Sequence, residues 1–286
     1  MVPLSSEVLE DVNQKARRLR ELLRAPEILI MPGAFNVLSA LLFQHLGFEA
    51  IQGSSSGFAN AQGYPDLAIG RDRTVEVTRQ VASAVSIPVN ADGEDGFGGP
   101  DDVRATVRAL VEAGAVGMNM EDGDRQRHGA LVDVAYQLDK IAAFMDARKV
   151  LGVEFLLNAR VDSFMAIRDD RATALKDAVH RGQMYAEAGA DCVFFFGPSE
   201  PVDIRTLAKE VSAPISILAG PGVPGPWELQ ELGVARVSYG SQFLRIAVGA
   251  VRRFSLELLE QGTHESLADA VRGPDMKAIL AERRPA

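Results

Sequence analysis

Ala113-Gly114-Ala115-Val116-Gly117-Met118 carries the pattern on which the fold turns: the end of a helical stretch, a glycine, then a short apolar run. Glycine enters the left-handed conformation that closes a helix at no steric cost, so the stretch reads as a helix-to-strand junction. The same arrangement recurs at Leu46-Gly47-Phe48-Glu49-Ala50-Ile51, Ala188-Gly189-Ala190-Asp191-Cys192-Val193 and Leu232-Gly233-Val234-Ala235-Arg236-Val237. Further strand candidates lie at 28–31, 87–91, 155–159 and 214–218, with helical patterns at 71–85, 101–112, 134–148 and 172–187. Taken in order these make eight strands, each followed by a helix, and short buried strands alternating with helices imply parallel β-structure. The expected fold is α/β, a closed (βα)8 TIM-type barrel, with a doubly wound open sheet as the alternative. Residues 5–25 are expected to add an N-terminal helix, and 253–286 a helical extension beyond the eighth helix, suited to an oligomer contact. No linker rich in Pro, Gly or Ser divides the chain, so a single domain over 1–286 is expected.

A chain of 286 residues accommodates one barrel of ~250 residues plus terminal additions. The net charge of -9 argues against a phosphate-backbone partner, so no nucleic acid is expected. The densest basic stretch, Lys15 to Arg24, alternates with leucines and reads as the solvated face of an amphipathic helix. Cys192 is the only cysteine, which excludes an intrachain disulfide and a cysteine-based zinc cluster and suits a reducing compartment. Acidic residues within the first eleven positions are unlike a signal peptide, and no apolar run reaches the ~18 residues of a membrane span. A cytoplasmic protein without a membrane partner is the expectation.

In a barrel the chemistry gathers at the C-terminal ends of the strands. The third strand runs into Asn90-Ala91-Asp92-Gly93-Glu94-Asp95-Gly96-Phe97-Gly98-Gly99 and the fourth into Asn119-Met120-Glu121-Asp122. Acids crowded at two adjacent strand mouths repel one another unless a cation neutralises them. Asp92, Glu94 and Glu121 are therefore candidate ligands of a hard divalent ion, Mg2+ first and Mn2+ as the alternative. The plainer reading makes such acids solvated loop residues or helix N-caps, as for Asp101 and Asp122. The fifth strand ends in Asn158-Ala159-Arg160-Val161-Asp162, where the planar fork of Arg160 could hold a carboxylate or phosphonate, or pair with Asp162 or a neighbouring acid. Asn158 is a further candidate substrate ligand. Ser54, Ser55 and Ser56 follow the second strand, where hydroxyls and backbone N–H groups could cradle an anion. His45 and His180 lie in helical patterns; His128 alone occupies an expected active-site loop. No Gly-x-Gly-x-x-Gly follows the first strand and no P-loop is present, so nucleotide binding is unsupported.

Pro32-Gly33-Ala34-Phe35-Asn36-Val37-Leu38-Ser39-Ala40, Gly63-Tyr64-Pro65-Asp66, Pro88-Val89-Asn90-Ala91-Asp92-Gly93-Glu94-Asp95-Gly96-Phe97-Gly98, Asn119-Met120-Glu121-Asp122, Ala159-Arg160 and Tyr185-Ala186-Glu187-Ala188-Gly189-Ala190-Asp191 resemble, in order, motifs of the isocitrate lyase and phosphoenolpyruvate mutase superfamily. The resemblance covers almost the whole chain. It implies a magnesium-dependent barrel that binds 2-oxo or 2-hydroxy carboxylates and works through an enolate-like species. By position it makes Asp92, Glu94 and Glu121 the metal residues, largely through waters, with Asp66 nearby, and gives the substrate's anionic groups to Arg160 and the turn of Ser54, Ser55 and Ser56. It also implies a tetramer that exchanges its last helix between subunits.

The departures narrow the chemistry. Glu94 stands where the family has an aspartate. Family lyases carry a Lys-Arg-Cys-Gly-His run whose cysteine protonates the departing enolate; the corresponding Gly123-Asp124-Arg125-Gln126-Arg127-His128-Gly129-Ala130 is shorter and has no cysteine. Cys192 begins an expected buried strand and is no substitute. Phe196 and Leu218 stand where the lyases have a glutamate and an asparagine. The resemblance thus points away from isocitrate or methylisocitrate cleavage. It leaves a magnesium-dependent carbon–carbon lyase, decarboxylase or hydrolase for a small 2-oxo or 2-hydroxy acid, with His128 as an alternative acid. The alternatives are carbon–phosphorus chemistry on a phosphonopyruvate-like substrate and a non-catalytic 2-oxo acid binding protein.

Overall fold

The structure is a computed structural model that describes residues 4–284 except 126 and 128. In chain order its elements are α1 (Ser6–Arg24), β1 (Leu29–Met31), β2 (Gly33–Ala34), α2 (Val37–His45), β3 (Ile51–Gly53), α3 (Ser55–Ala61), α4 (Gly70–Ala84), β4 (Val89–Asp92), α5 (Pro100–Glu112), β5 (Gly117–Glu121) and α6 (Val134–Leu151). There follow β6 (Leu156–Val161), α7 (Ser163–Ala166), α8 (Arg171–Glu187), β7 (Cys192–Phe195), α9 (Pro201–Glu210), β8 (Ile215–Leu218), α10 (Pro226–Glu231), β9 (Arg236–Ser238), α11 (Gln242–Glu260), a 3-10 turn (Glu265–Asp269) and α12 (Gly273–Ala281).

All strand pairings are parallel, in the order β1-β9-β8-β7-β6-β5-β4-β3-β2. The two ends of that order are consecutive in the chain. β1 pairs with β9 and β2 with β3, so one polypeptide segment, interrupted only at Pro32, joins the first edge to the last. Proline has no N–H to donate to the ladder, which accounts for the break. The eight expected strands are therefore present, the first in two pieces, and the barrel replaces the open-sheet alternative.

The four junction glycines behave as their spacing implied. Gly47, Gly114, Gly189 and Gly233 have φ of 88°, 85°, 104° and 92°. At Gly114 the helix is closed by Gly114 N–H to Val111 O and Ala115 N–H to Leu110 O, both 3.0 Å, and β5 starts three residues later. The main apolar core lies between strands and helices and includes Val103, Val107, Leu110, Ile141, Phe144, Phe155, Phe195 and Ile217. The barrel interior is more polar. Asn119 Oδ1 accepts from Asn90 Nδ2 (2.9 Å) and Asn158 Nδ2 (2.7 Å), and the buried guanidinium of Arg236 donates to Gln52 (2.5 Å) and Ser238 (3.1 Å).

At the ends, α1 matches the expected N-terminal helix. α11 runs on to Glu260, so the extension expected from 253 begins inside that helix. No Gly or Pro stands between residue 252 and Gly262 to stop the helix sooner. α12 packs on α2 of its own chain, where Gln44 Nε2 donates to Glu282 O at 3.0 Å and Ile279 enters the core. α11 has no buried residue, and Ile246, Val248, Val251, Leu258 and Leu259 are exposed. No helix among the described residues is long and apolar enough to cross a membrane.

Candidate active site

β4, β5 and β6 bring the acidic and basic candidates to one end of the barrel. Register places Asp92 beside Asn119 and Glu121 beside Arg160. Just past β4, Gly93 lies against β5: a Cβ there would stand 2.7 Å from Asn119 O and 2.9 Å from Met118 Sδ. Only glycine fits so close an approach. Gly93 N–H bonds Asn119 O at 3.0 Å, and Glu121 N–H bonds Glu94 O at 2.8 Å, so the loop is laced to the neighbouring strand. Glu94 itself takes the left-handed conformation, φ 47°, a strained state for a side chain with a Cβ. That turn directs a carboxylate into the protein that an extended loop would leave in water; Glu94 is 1% exposed.

Each acid has a defined set of partners. Asp92 accepts the backbone N–H groups of Ser55 (2.9 Å) and Glu94 (3.1 Å). Glu94 Oε2 is ion-paired with Arg125, while Glu94 Oε1 is buried without a hydrogen-bond partner among the described residues. Glu121 pairs with Arg160 at 2.6 Å, and Arg160 Nε also donates to Asp162 at 2.8 Å. The guanidinium carbon of Arg160 lies 3.9 Å from the ring centroid of Phe196, a cation–π stack.

Burial dominates the electrostatics. It pushes the Glu121 carboxyl up to about 8; Arg160 opposes the rise, and Asp162, Asp92 and Glu94 add to it. Glu94 is pushed up to about 7, again by burial first, with Arg125 opposing and Asp92, Asp66 and Asp95 adding. Asp66 stands at the exposed rim, where partial desolvation of its carboxyl and then the charge of Asp92 raise its pKa. These groups interact through space as one negatively charged cluster. Arg160 is held charged by Glu121 and Asp162 against the cost of its burial.

A cavity of about 370 Å3 opens beside the cluster. Ser54, Ser55, Ser56, Asp66, Asp92 and Arg160 all line it, so these candidates from four separate segments meet at one place. Ser54 also caps α3, accepting from Gly57 N–H at 3.1 Å. Glu121 and Arg160 form the wall of an adjoining cavity of about 210 Å3 under the loop that follows β5. Asn158 does not line this cavity: it is 2% exposed and donates to its register partner Asn119 inside the barrel. Asn119 is the amide that reaches the cavity. Asp122 is no solvated cap either. It is fully buried, accepts from Tyr185 Oη (2.8 Å), Arg181 (3.1 Å) and Asp162 N–H (2.9 Å), and braces the strand ends from behind. Asp101 does stay exposed in the first turn of α5, paired with Arg104 at 2.9 Å. His128 lies outside the described residues. His45 pairs with Glu282 at 3.3 Å, away from the cavity.

Several lining residues carried no motif. Tyr239, Ser241, Gln242 and Arg245 follow the last strand and line the larger cavity, and Arg125, from the short loop after β5, lines the adjoining one. The barrel rule applied to the eighth strand would have marked the first group; Arg125 is recognisable only from its contact.

Among the described residues no three His, Cys, Asp or Glu side chains converge tightly enough to enclose an ion by themselves. Mg2+ does not require such a cage, since it keeps several waters and takes one or two carboxylates. The donor set fits an ion of that kind: acids only, a Glu94 carboxylate oxygen that is buried without a partner among the described residues, and pKa values lifted by mutual repulsion as well as burial.

Residues 19–259 match the family model for phosphoenolpyruvate phosphomutase. A probable 2-methylisocitrate lyase 2 of Corynebacterium glutamicum is 31% identical over 90% of this chain and 84% of its own length. The structure of a putative lyase/mutase from Burkholderia cenocepacia J2315 superposes with a TM-score of 0.88 at 33% identity, covering 94% of this chain and 96% of the other. A phosphonopyruvate hydrolase solved with oxalate and Mg2+ superposes with a TM-score of 0.81 at 30% identity, covering 94% and 95%. With the match extending over most of the barrel, the chain belongs to the phosphoenolpyruvate phosphomutase family, within the isocitrate lyase and phosphoenolpyruvate mutase superfamily.

Proposed function

We propose that this protein is a Mg2+-dependent enzyme that breaks a carbon–carbon bond of a small 2-oxo or 2-hydroxy carboxylic acid. The observation that carries the reading is the meeting of Asp66, Asp92, Arg160 and the serines 54–56 in one cavity, with Glu94 and Glu121 behind it. Asp92, Glu94 and Glu121 would hold the ion, with Asp66 at its outer side. When bound, a divalent cation draws off electron density released as the bond beside the 2-oxo group breaks.

The protein's own groups do the rest. Arg160 is fixed by two carboxylates and by the Phe196 ring, so it meets an incoming carboxylate without reorganising. Ser55 N–H holds Asp92 in place, and Ser56 lines the cavity beside it, where an anionic group would lie. Phe194, Phe196 and Leu218 give the cavity an apolar side.

Purified protein with Mg2+ is expected to release pyruvate or another 2-oxo acid from one member of a panel that includes oxaloacetate and 2-alkylmalates. Silence across that panel would sink the reading. Carbon–phosphorus cleavage is the second reading, favoured by the 30% identity to phosphonopyruvate hydrolase. Phosphorus NMR on phosphonopyruvate separates the two.

A further inference from the structure

The cavity has two unlike sides. Serines 54–56, Asp66, Asp92 and Arg160 make the polar one, while the ends of β7 and β8 make the other from Phe194, Phe196 and Leu218. Phe194 and Phe196 point the same way because alternate residues of a strand share a face, and their rings meet edge to face at 5.9 Å. Phe195, between them, turns outward into the helix layer and is fully buried there. Phe196 lies flat against Arg160, so the apolar wall starts directly where the cation that would grip a carboxylate ends. Tyr239, Ser241, Gln242 and Arg245, from the segment after β9, add further polar side chains to the lining.

A molecule held at the acidic end must therefore pass its next carbons along Phe196, Phe194 and Leu218. An alkyl group there replaces water against carbon. A carboxylate there would lose its hydration and gain no donor from either strand end.

We propose that Phe194, Phe196 and Leu218 form a specificity surface that selects substrates with an apolar substituent, a methyl or larger alkyl group, on the carbon next to the chelated end. A third carboxylate at that position is turned away. The proposal rests on the reading of the acidic end as the metal-chelating end.

The test is calorimetric binding in saturating Mg2+, without turnover, using oxalate, pyruvate, 2-oxobutanoate and 3-methyl-2-oxobutanoate. Oxalate reports the chelating end alone. Affinity is expected to rise about tenfold for each methyl added to pyruvate, the lower end of what a methylene contributes in an apolar pocket. In Leu218→Asn, a near-isosteric change, the rise is expected to flatten while oxalate still binds. If oxalate binds and the alkyl series is level in the native protein, or its slope survives in Leu218→Asn, the apolar wall is not a specificity surface. If oxalate fails to bind with Mg2+, the chelating end is wrong and the wall falls with it.

Discussion

Arg160 and Glu121 are register partners on adjacent parallel strands, and their side chains close to 2.6 Å across that pairing. The cation of the site is thus set by the barrel wall rather than by a loop. Its second carboxylate, Asp162, is two residues along the same strand end, and Phe196 comes from the next strand. A guanidinium gripped on three sides has little freedom left to lose when an anion arrives.

Arg160→Lys keeps the charge and loses the planar fork. Its kcat/KM is expected to fall by about 10^2-fold or more, with the circular dichroism spectrum unchanged. Near-native turnover in this variant would remove Arg160 from the substrate end. Arg160→Met is expected to destabilise the fold by about 1–3 kcal/mol in urea melts, the cost of leaving the buried Glu121 without its partner.

The lifted carboxyls make stability depend on pH with a definite sign. Glu94 and Glu121 start from 4.5 and are raised to about 7 and about 8, so between these limits the native state binds more protons than the unfolded chain. Stability contributed this way falls as pH rises. In EDTA the melting temperature should drop between about pH 5 and pH 8. Mg2+ should restore it most at the alkaline end, with protons released on binding. A melting temperature in EDTA that climbs over this range, with no Mg2+ effect, would contradict both the charge cluster and the metal site.

Tyr185→Phe removes the hydroxyl that donates to Asp122 at 2.8 Å in the buried brace. A loss of about 1–3 kcal/mol is expected, since a buried carboxylate gives up one of its donors. Activity per folded molecule should change little, because Asp122 and Tyr185 line neither cavity beside the acids. A loss of stability with activity per folded molecule unchanged would fit; selective loss of activity would not.

α11 packs on the core through Phe243, but its Ile246, Val248, Val251, Leu258 and Leu259 are exposed. We expect them to be covered by a second copy, giving an oligomer in solution. Light scattering behind size exclusion checks this, and Val251→Glu should shift the native mass toward the monomer. A monomeric native protein at micromolar concentration would overturn it.

Much of the fold was legible in one dimension because its signals are local. A glycine that must close a helix announces itself next to the strand it releases, and Gly47, Gly114, Gly189 and Gly233 did so four times. Strand ends then pointed to Asp92, Glu121 and Arg160 by the rule that barrel chemistry gathers there. The resemblance added Asp66, which no local pattern marks. The length of α11 and the split of the first strand at Pro32 were less legible, since pairing and packing set such boundaries.

What the tertiary structure decided is which side chain faces which. Asn158 and Asn119 are register partners and look equivalent as strand residues, yet Asn119 lines the cavity while Asn158 donates to it from within the barrel. Asp122 follows Glu121 directly, but alternation sends it to the opposite face, into the brace of Tyr185 and Arg181. Arg125 meets Glu94 across a sequence gap that no periodicity spans. The sequence by itself determined the order of strands and the residue types at their mouths, since both follow from local conformational preference. The division of those residues between cavity, brace and barrel interior follows from closure of the sheet, which alone sets their distances and burial.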